Sequence, residues 1–277
     1  RPRREDFQQD PLQHFQEEFL ARVWDAVGDS HLLLMFDETI RFEEQVQAGK
    51  LGREVFDYIR SLMQHNQRLN FIFALGSRLE QMKQEYSVLF NVGLYKEISF
   101  LDPQAVINLV TRPVESLYRY DDDAIKRIFT ITSGHAYYTQ LLCHSLFTRW
   151  QQQKHPVMTV EDVEAVLPEV VERGTANLKF DWDESSPVEK LILAALAEAV
   201  GSDGKPATDE QVEKVLLSYE IPVPHGEIVT GLKNLIGREM VNGEESYAFT
   251  VDMLRIWVRQ HQRVEWVKAE LAAHIQP

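Results

Sequence analysis

Two short apolar runs constrain this chain more than any other feature. The first lies in HLLLMFDE, residues 31–38, where Leu32 to Phe36 runs straight into Asp37 and Glu38. The second is FIFAL, Phe71 to Leu75, which runs into Gly76-Ser77-Arg78 forty residues after Asp37-Glu38. Uninterrupted apolar runs of this length are what central parallel strands show, because both faces are covered. A buried strand accounts for the apolar residues and leaves the polar pairs at the two ends unexplained.

The stretches between and around these runs read as helices. Phe15, Phe19, Leu20, Val23 and Val27 recur at helical spacing within 7–27, and Gly28-Asp29 stops that helix. Residues 41–65 place Phe56, Ile59, Leu62 and Met63 on one face. Tyr95 to Phe100 offers a third strand. Strands alternating with helices imply βαβ units and a parallel sheet. Crossovers between parallel strands are right-handed, so Asp37-Glu38 and Ser77-Arg78 are expected on one sheet edge, where open α/β sheets bind ligands.

Beyond Phe100 the pattern turns helical. Asp102-Pro103 reads as an N-cap followed by Pro at the first helical position. Ser133-Gly134 separates a helix over about 122–132 from one over about 135–152, and Thr159 opens another. Residues 170–186 read as a linker. Ser186-Pro187-Val188-Glu189 and Thr208-Asp209-Glu210-Gln211 are capping boxes, and a third helix covers about 226–237. Asn242-Gly243 then signals a hairpin turn between Met240-Val241 and Tyr247-Ala248-Phe249, and a last helix starts near Asp252. Three helices followed by a two-stranded wing make a winged-helix module. The expected class is therefore α/β plus α. Its expected parts are an α/β domain over 1–100, a helical domain over 101–182 and a winged helix over 183–277.

Composition narrows the functional classes. The chain has 277 residues and a formal net charge of −14, which disfavours nonspecific nucleic-acid binding. Its C-terminal part, 185–277, carries fourteen acidic residues against nine basic ones, and the helix near 226–237 offers Lys233 and Arg238 where a DNA reader needs a basic face. Nucleic acid is therefore not the expected partner. No apolar run reaches the roughly 18 residues that cross a bilayer. Cys143 is the one cysteine, so no intrachain disulfide forms and a reducing cytoplasm is the expected compartment. Cys143 itself reads as a buried helix residue. His135 and His144 sit nine apart without a nearby Cys or Asp pair, so zinc is not expected. The run Tyr118 to Asp123 reads as a solvated loop leading into a helix N-terminus.

With these elements in place, five motifs in order carry a resemblance. LLLMFDE resembles the Walker B strand of P-loop ATPases, and FIFALGSR resembles their sensor 1 strand. ISFLDPQAVINLV resembles the strand and helix start leading into a helical lid. Ser133-Gly134-His135-Ala136 resembles a Gly-x-Pro lid motif, with Ala136 where the proline would pack on adenine. Phe249 to Val258 resembles the end of the winged helix of the same group. Together they resemble the STAND class of AAA-like regulatory ATPases over essentially the whole chain. The resemblance implies a partial P-loop NTPase sheet, a lid and a winged helix that respond to ATP/ADP and Mg²⁺. It implies that Asp37 holds Mg²⁺ through water and that Glu38 polarises the attacking water. It implies that Ser77 and Arg78 read the γ-phosphate, with Gly134 and His135 at the lid side of the nucleotide. Self-association, or effector modules of a larger chain, are the implied partners.

One element is missing. The sequence contains no G-x-x-x-x-G-K-[ST] loop to cradle phosphate. Gly49-Lys50 is followed by Leu51, has no glycine at the needed spacing before it, and follows the Walker B strand; it reads as a surface loop. In the resembling family the P-loop precedes the segment matching 7–27. Either a segment upstream of residue 1 carries it or the phosphate site has been lost. As given, the chain is expected not to hydrolyse ATP. Two alternatives stay open: a non-enzymatic scaffold on a relict ATPase fold, and an origin-recognition-like ATPase whose winged helix binds DNA.

Overall fold

The computed structural model describes residues 10–75, 93–201 and 204–275. The chain divides into two compact units, Arg1–Glu97 and Ile98–Pro277.

In the first unit, helix α1 begins at Pro11, and the Asp10 carboxylate caps it by accepting the Gln13 N–H at 2.9 Å. It is α-helical over Pro11–His14, widens into a π-turn over Phe15–Phe19 and continues over Leu20–Val27. Gly28, at φ 60°, ends it. Strand β1 is Leu32–Phe36, and Asp37-Glu38 follow it directly. The expected helix over 41–65 is two helices, α2 (Ile40–Gln47) and α3 (Glu54–His65). The break falls around Gly49, at φ 66°, where a left-handed backbone interrupts the ladder. Strand β2 is Leu69–Phe73, two residues earlier than the apolar run alone indicates.

β1 and β2 pair in parallel, from Leu32 opposite Leu69 to Phe36 opposite Phe73. Leu32 and Leu34 with Leu69, Phe71 and Phe73 face the helices, packing on Leu20, Leu62, Val55, Phe56 and Ile59. The opposite face is open: Leu33, Met35 and Ile72 are 48%, 72% and 52% exposed. The expectation of strands covered on both faces is thus corrected. Among the described residues, the apolar groups packed on the pair sit on one side only. The third strand expected at Tyr95–Phe100 is absent: that stretch has no ladder, and Leu94, Tyr95 and Ile98 are exposed.

The second unit is helical. α4 (Pro103–Thr111) is capped as read, the Asp102 carboxylate accepting the Ala105 N–H at 2.8 Å. Arg119–Tyr120 forms strand β3, followed by α5 (Asp122–Thr132), α6 (Ala136–Gln153) and strand β4 (Val157–Met158). β3 and β4 pair in parallel. Tyr118 and Tyr120 are buried, their hydroxyls 3.2 Å apart, so the run read as a solvated loop is instead core at its two tyrosines.

Helix α7 spans Val160–Asp183 and removes the linker expected at 170–186. Val170, Gly174, Leu178 and Trp182, each four residues from the last, are buried along it. That spacing is a core-facing helical stripe, hidden in the sequence by the polar residues on its other face. Three residues later α8 (Pro187–Val200) begins, then α9 (Asp209–Ser218) and α10 (His225–Gly237). Both capping boxes form as read. Strands β5 (Val241–Gly243) and β6 (Tyr247–Phe249) make an antiparallel hairpin. Its turn is Glu244 to Ser246, so Asn242-Gly243 closes the first strand instead of forming the turn. Tyr247 explains the shift: it also bridges Ala207, and its hydroxyl donates to the Glu244 carbonyl at 2.8 Å. α11 (Asp252–His261) and α12 (Val264–Ile275) complete the unit.

α11 lies on α5 and α7. Met253 sits over Gly174, the Trp257 ring packs edge-on at 6.1 Å from Trp182, and Leu254 and Val258 are buried beside them. Burying each such side chain contributes about 1.5–3 kcal/mol.

Candidate functional site

The polar pair after β1 is fixed by a short set of hydrogen bonds. The Glu38 N–H donates to the Asp37 carboxylate at 2.9 Å, and Glu38 itself takes a left-handed backbone at φ 52°. A non-glycine residue held there is uncommon and needs surrounding structure to keep it. Thr39 supplies that structure. It is buried, its hydroxyl donates to the Phe36 carbonyl at 3.2 Å, and its N–H donates to the Ala74 carbonyl at 3.1 Å. Ala74 in turn donates to the Phe36 carbonyl at 2.8 Å.

The C-terminal ends of β1 and β2 are therefore stitched together, and Asp37 and Glu38 stand exposed at that edge. Ser77 and Arg78 lie outside the described residues. Sequence reasoning missed Thr39, whose only signal is a hydroxyl residue directly after the acidic pair.

A hard cation such as Mg²⁺ takes one or two protein carboxylates, with water and phosphate oxygens filling its octahedron. Asp37 fits that demand: it is a carboxylate at a rigid strand end, open to solvent and already oriented by its neighbour's N–H. Among the described residues, no group of three or more His, Cys, Asp or Glu side chains could hold a metal by itself. A cation at Asp37 would need water or phosphate oxygens to complete its shell.

Gly134 and His135 belong to the second unit. Gly134 has φ 79°, and a Cβ there would run into the Leu101 carbonyl oxygen. The Leu101 N–H donates to the Gly134 carbonyl at 2.8 Å. Glycine is required here for close backbone approach and for its left-handed conformation.

His135 occupies the N-cap position of α6, with its ring 4.4 Å from that of Tyr138 and 5.7 Å from that of Phe100. Its Nδ1 is buried without a hydrogen-bond partner, and burial pushes the imidazole below the ordinary histidine value. Ala136, at the position of the lid proline, is exposed. His144 has separate surroundings, its Nδ1 3.5 Å from the Arg173 guanidinium. Burial pushes the Cys143 thiol up to about 12, which suits a core residue and not a nucleophile.

No helix among the described residues is long and apolar enough to cross a membrane.

No protein-family model matches the chain, and no curated protein matches it. Solved structures do. A Walker-type ATPase of Pyrococcus abyssi matches with a TM-score of 0.54 at 12% identity, over 83% of this chain and 63% of that one. The Orc1 protein of Aeropyrum pernix, solved in complex with DNA, matches with a TM-score of 0.39 at 12% identity, over 85% and 65%. The DNA clamp loader delta protein of Bacillus subtilis matches with a TM-score of 0.26 at 12% identity, over 93% and 78%.

The first likeness shows the fold: a helix-rich α/β architecture with small parallel sheets, similar to that of a Walker-type ATPase. The two scores below 0.5 add nothing to it. The chain spans less than two thirds of the length of the first two structures.

Proposed function

We propose that this chain is the nucleotide-dependent switch region of a STAND/AAA-like regulatory ATPase. The observation that carries the reading is the parallel β1–β2 pair, whose stitched C-terminal edge presents Asp37-Glu38 in a fold similar to a Walker-type ATPase.

In this reading residues 1–100 are part of the P-loop NTPase domain, 101–182 form the lid and 183–277 the winged helix. Mg²⁺, when bound with nucleotide, would neutralise phosphate charge and polarise the terminal phosphoryl group. Asp37 would hold that cation through water, and Glu38, turned by its left-handed backbone, would be the proton acceptor for an attacking water in a protein that also supplies the phosphate cradle. Ser77 and Arg78, which follow β2 in the sequence and lie outside the described residues, read the terminal phosphate in this account. Gly134 brings the 98–101 segment onto the start of α6, and His135 presents an aromatic surface there. The sequence has no phosphate-cradling loop, so this chain by itself is expected neither to hold nucleotide tightly nor to hydrolyse it.

Sensing follows from differential affinity: a nucleotide shifts a conformational equilibrium only as far as it prefers one state. The expected outcome is a change of assembly state between ADP–Mg²⁺ and ATP–Mg²⁺ in the full-length protein, measured by native mass spectrometry. Identical assembly in both nucleotides and in neither would overturn the switch reading.

A second reading is favoured by the exposed Ala136 and by the Gly134–Leu101 contact, which gives the glycine a purely structural task. Here the chain is a scaffold that kept the fold and lost the ligand. A duplex-binding role for the 183–277 part is the third reading. Tight binding of duplex DNA that weakens steeply with salt would establish it.

A further inference from the structure

The 98–277 unit has one continuous core, and buried residues from α4 to α7 and from α8 to α12 all belong to it. The chain passes from the first group to the second through Glu184, Ser185 and Ser186 alone. A joint of three residues is where two modules would be expected to swing apart. Instead it is closed from outside by one side chain.

Arg238, just past the end of α10, turns back onto the end of α7. Its guanidinium donates to the Asp181 carbonyl at 3.0 Å, to the Ser185 hydroxyl at 3.1 Å and to the Glu184 carbonyl at 3.5 Å, and it lies 3.6 Å from the Glu189 carboxylate. The final carbonyls of a helix lack partners within it, and a cation at that end is favoured by the helix dipole. A planar fork with several donors can hold both sides of the joint at once, which an ammonium cannot.

The neighbouring residue adds a second tie. The Glu239 carboxylate accepts the Ser99 hydroxyl at 3.0 Å, joining the first residues of the unit to the same corner. Beneath the clasp, Ser185 lies 3.9 Å from the Met240 sulfur, Trp182 meets Trp257 and Met253 covers Gly174. At the rim, His261 approaches Glu172 at 3.8 Å.

We propose that residues 98–277 move as a single rigid body, with Arg238 as the clasp across the 184–186 joint. Opening the joint would re-expose Met253, Trp257 and Trp182 together. Inverting a 1:99 population takes a ligand with about 10⁴-fold preference for one state, and here that preference would first have to offset the whole apolar interface.

The test is a distance distribution in the full chain. Nitroxides at Gln152→Cys on α6 and Lys233→Cys on α10 are read by pulsed electron double resonance in a Cys143→Ala background, so that only the two introduced thiols carry label. A single narrow distribution is expected, unchanged by ADP–Mg²⁺ or ATP–Mg²⁺. Arg238→Ala is expected to broaden it about the same mean, because the apolar interface still holds the joint closed, and Arg238→Lys to fall between. Two distances in the unaltered joint, or a shift with nucleotide, would overturn the rigid body. A distribution as narrow in Arg238→Ala as in the parent would overturn the clasp. Circular-dichroism melts verify that both variants fold; if Arg238→Ala does not, Arg238→Lys decides. Calorimetry on the full-length protein reads nucleotide binding separately. Absence of binding removes the switch reading and leaves the nucleotide-free distributions to judge the rest.

Discussion

Gly134 shows how a residue can be legible in sequence for one reason and required in structure for another. The Ser133-Gly134 pair marks a helix boundary, and the boundary is there, with Ser133 at φ 49° and Gly134 at φ 79°. What the sequence could not show is that the Leu101 carbonyl fills the space where a side chain would stand. Gly134→Ala therefore meets both a backbone collision and a left-handed conformation, and is expected to cost about 1–3 kcal/mol. Denaturant melts at constant m-value would measure it; a loss under ~0.5 kcal/mol would contradict the account. Asp37 and Glu38 were legible because carboxylates ending an apolar run are conspicuous. Thr39 was not, because a buried threonine's hydrogen bonds to Phe36 and Ala74 depend on the pairing of two strands far apart in sequence.

At the scale of elements, caps were read well and lengths badly. Capping is local chemistry over four residues, so Asp102, Ser186 and Thr208 announce their helices. Helix α7 ran through a supposed linker because its buried stripe is thin against a polar background. The strand at Tyr95–Phe100 failed because alternation alone does not supply a ladder partner.

α7 also yields an element-scale prediction. Its capping box joins Thr159 and Asp162, and the Arg149 guanidinium donates to the Asp162 carboxylate at 2.7 Å. Burial alone pushes that carboxyl up, but the Arg149 and Thr159 hydrogen bonds outweigh it and hold it below the ordinary aspartate value. A carboxyl depressed in the folded state stabilises fully above its unfolded pKa of about 3.9, and that contribution is lost as pH falls through the lower folded value. Asp162→Ala is expected to cost about 1–3 kcal/mol at pH 7 and less at pH 3. Thermal melts at the two pH values check the sign. An equal or larger cost at pH 3 would contradict it.

At the scale of the molecule, the α-helical second unit was legible as a series of capped helices, whereas its unity was not. A single core joining α4 through α12 arises from contacts such as Trp182 with Trp257, which no local pattern encodes. In the first unit the parallel pair and its shared edge followed from the order of strands and helices. The open face of Leu33, Met35 and Ile72 did not, because an apolar run looks the same whether one side or both are covered.

The central claim concerns what that edge holds. Its most direct test is isothermal titration of ATP–Mg²⁺ into the full-length protein, unaltered and as Asp37→Asn. The account predicts saturable binding that depends on Mg²⁺ and weakens at least about tenfold, or ~1.4 kcal/mol, in Asp37→Asn. Binding of equal strength in both proteins, or no binding to either, would contradict it.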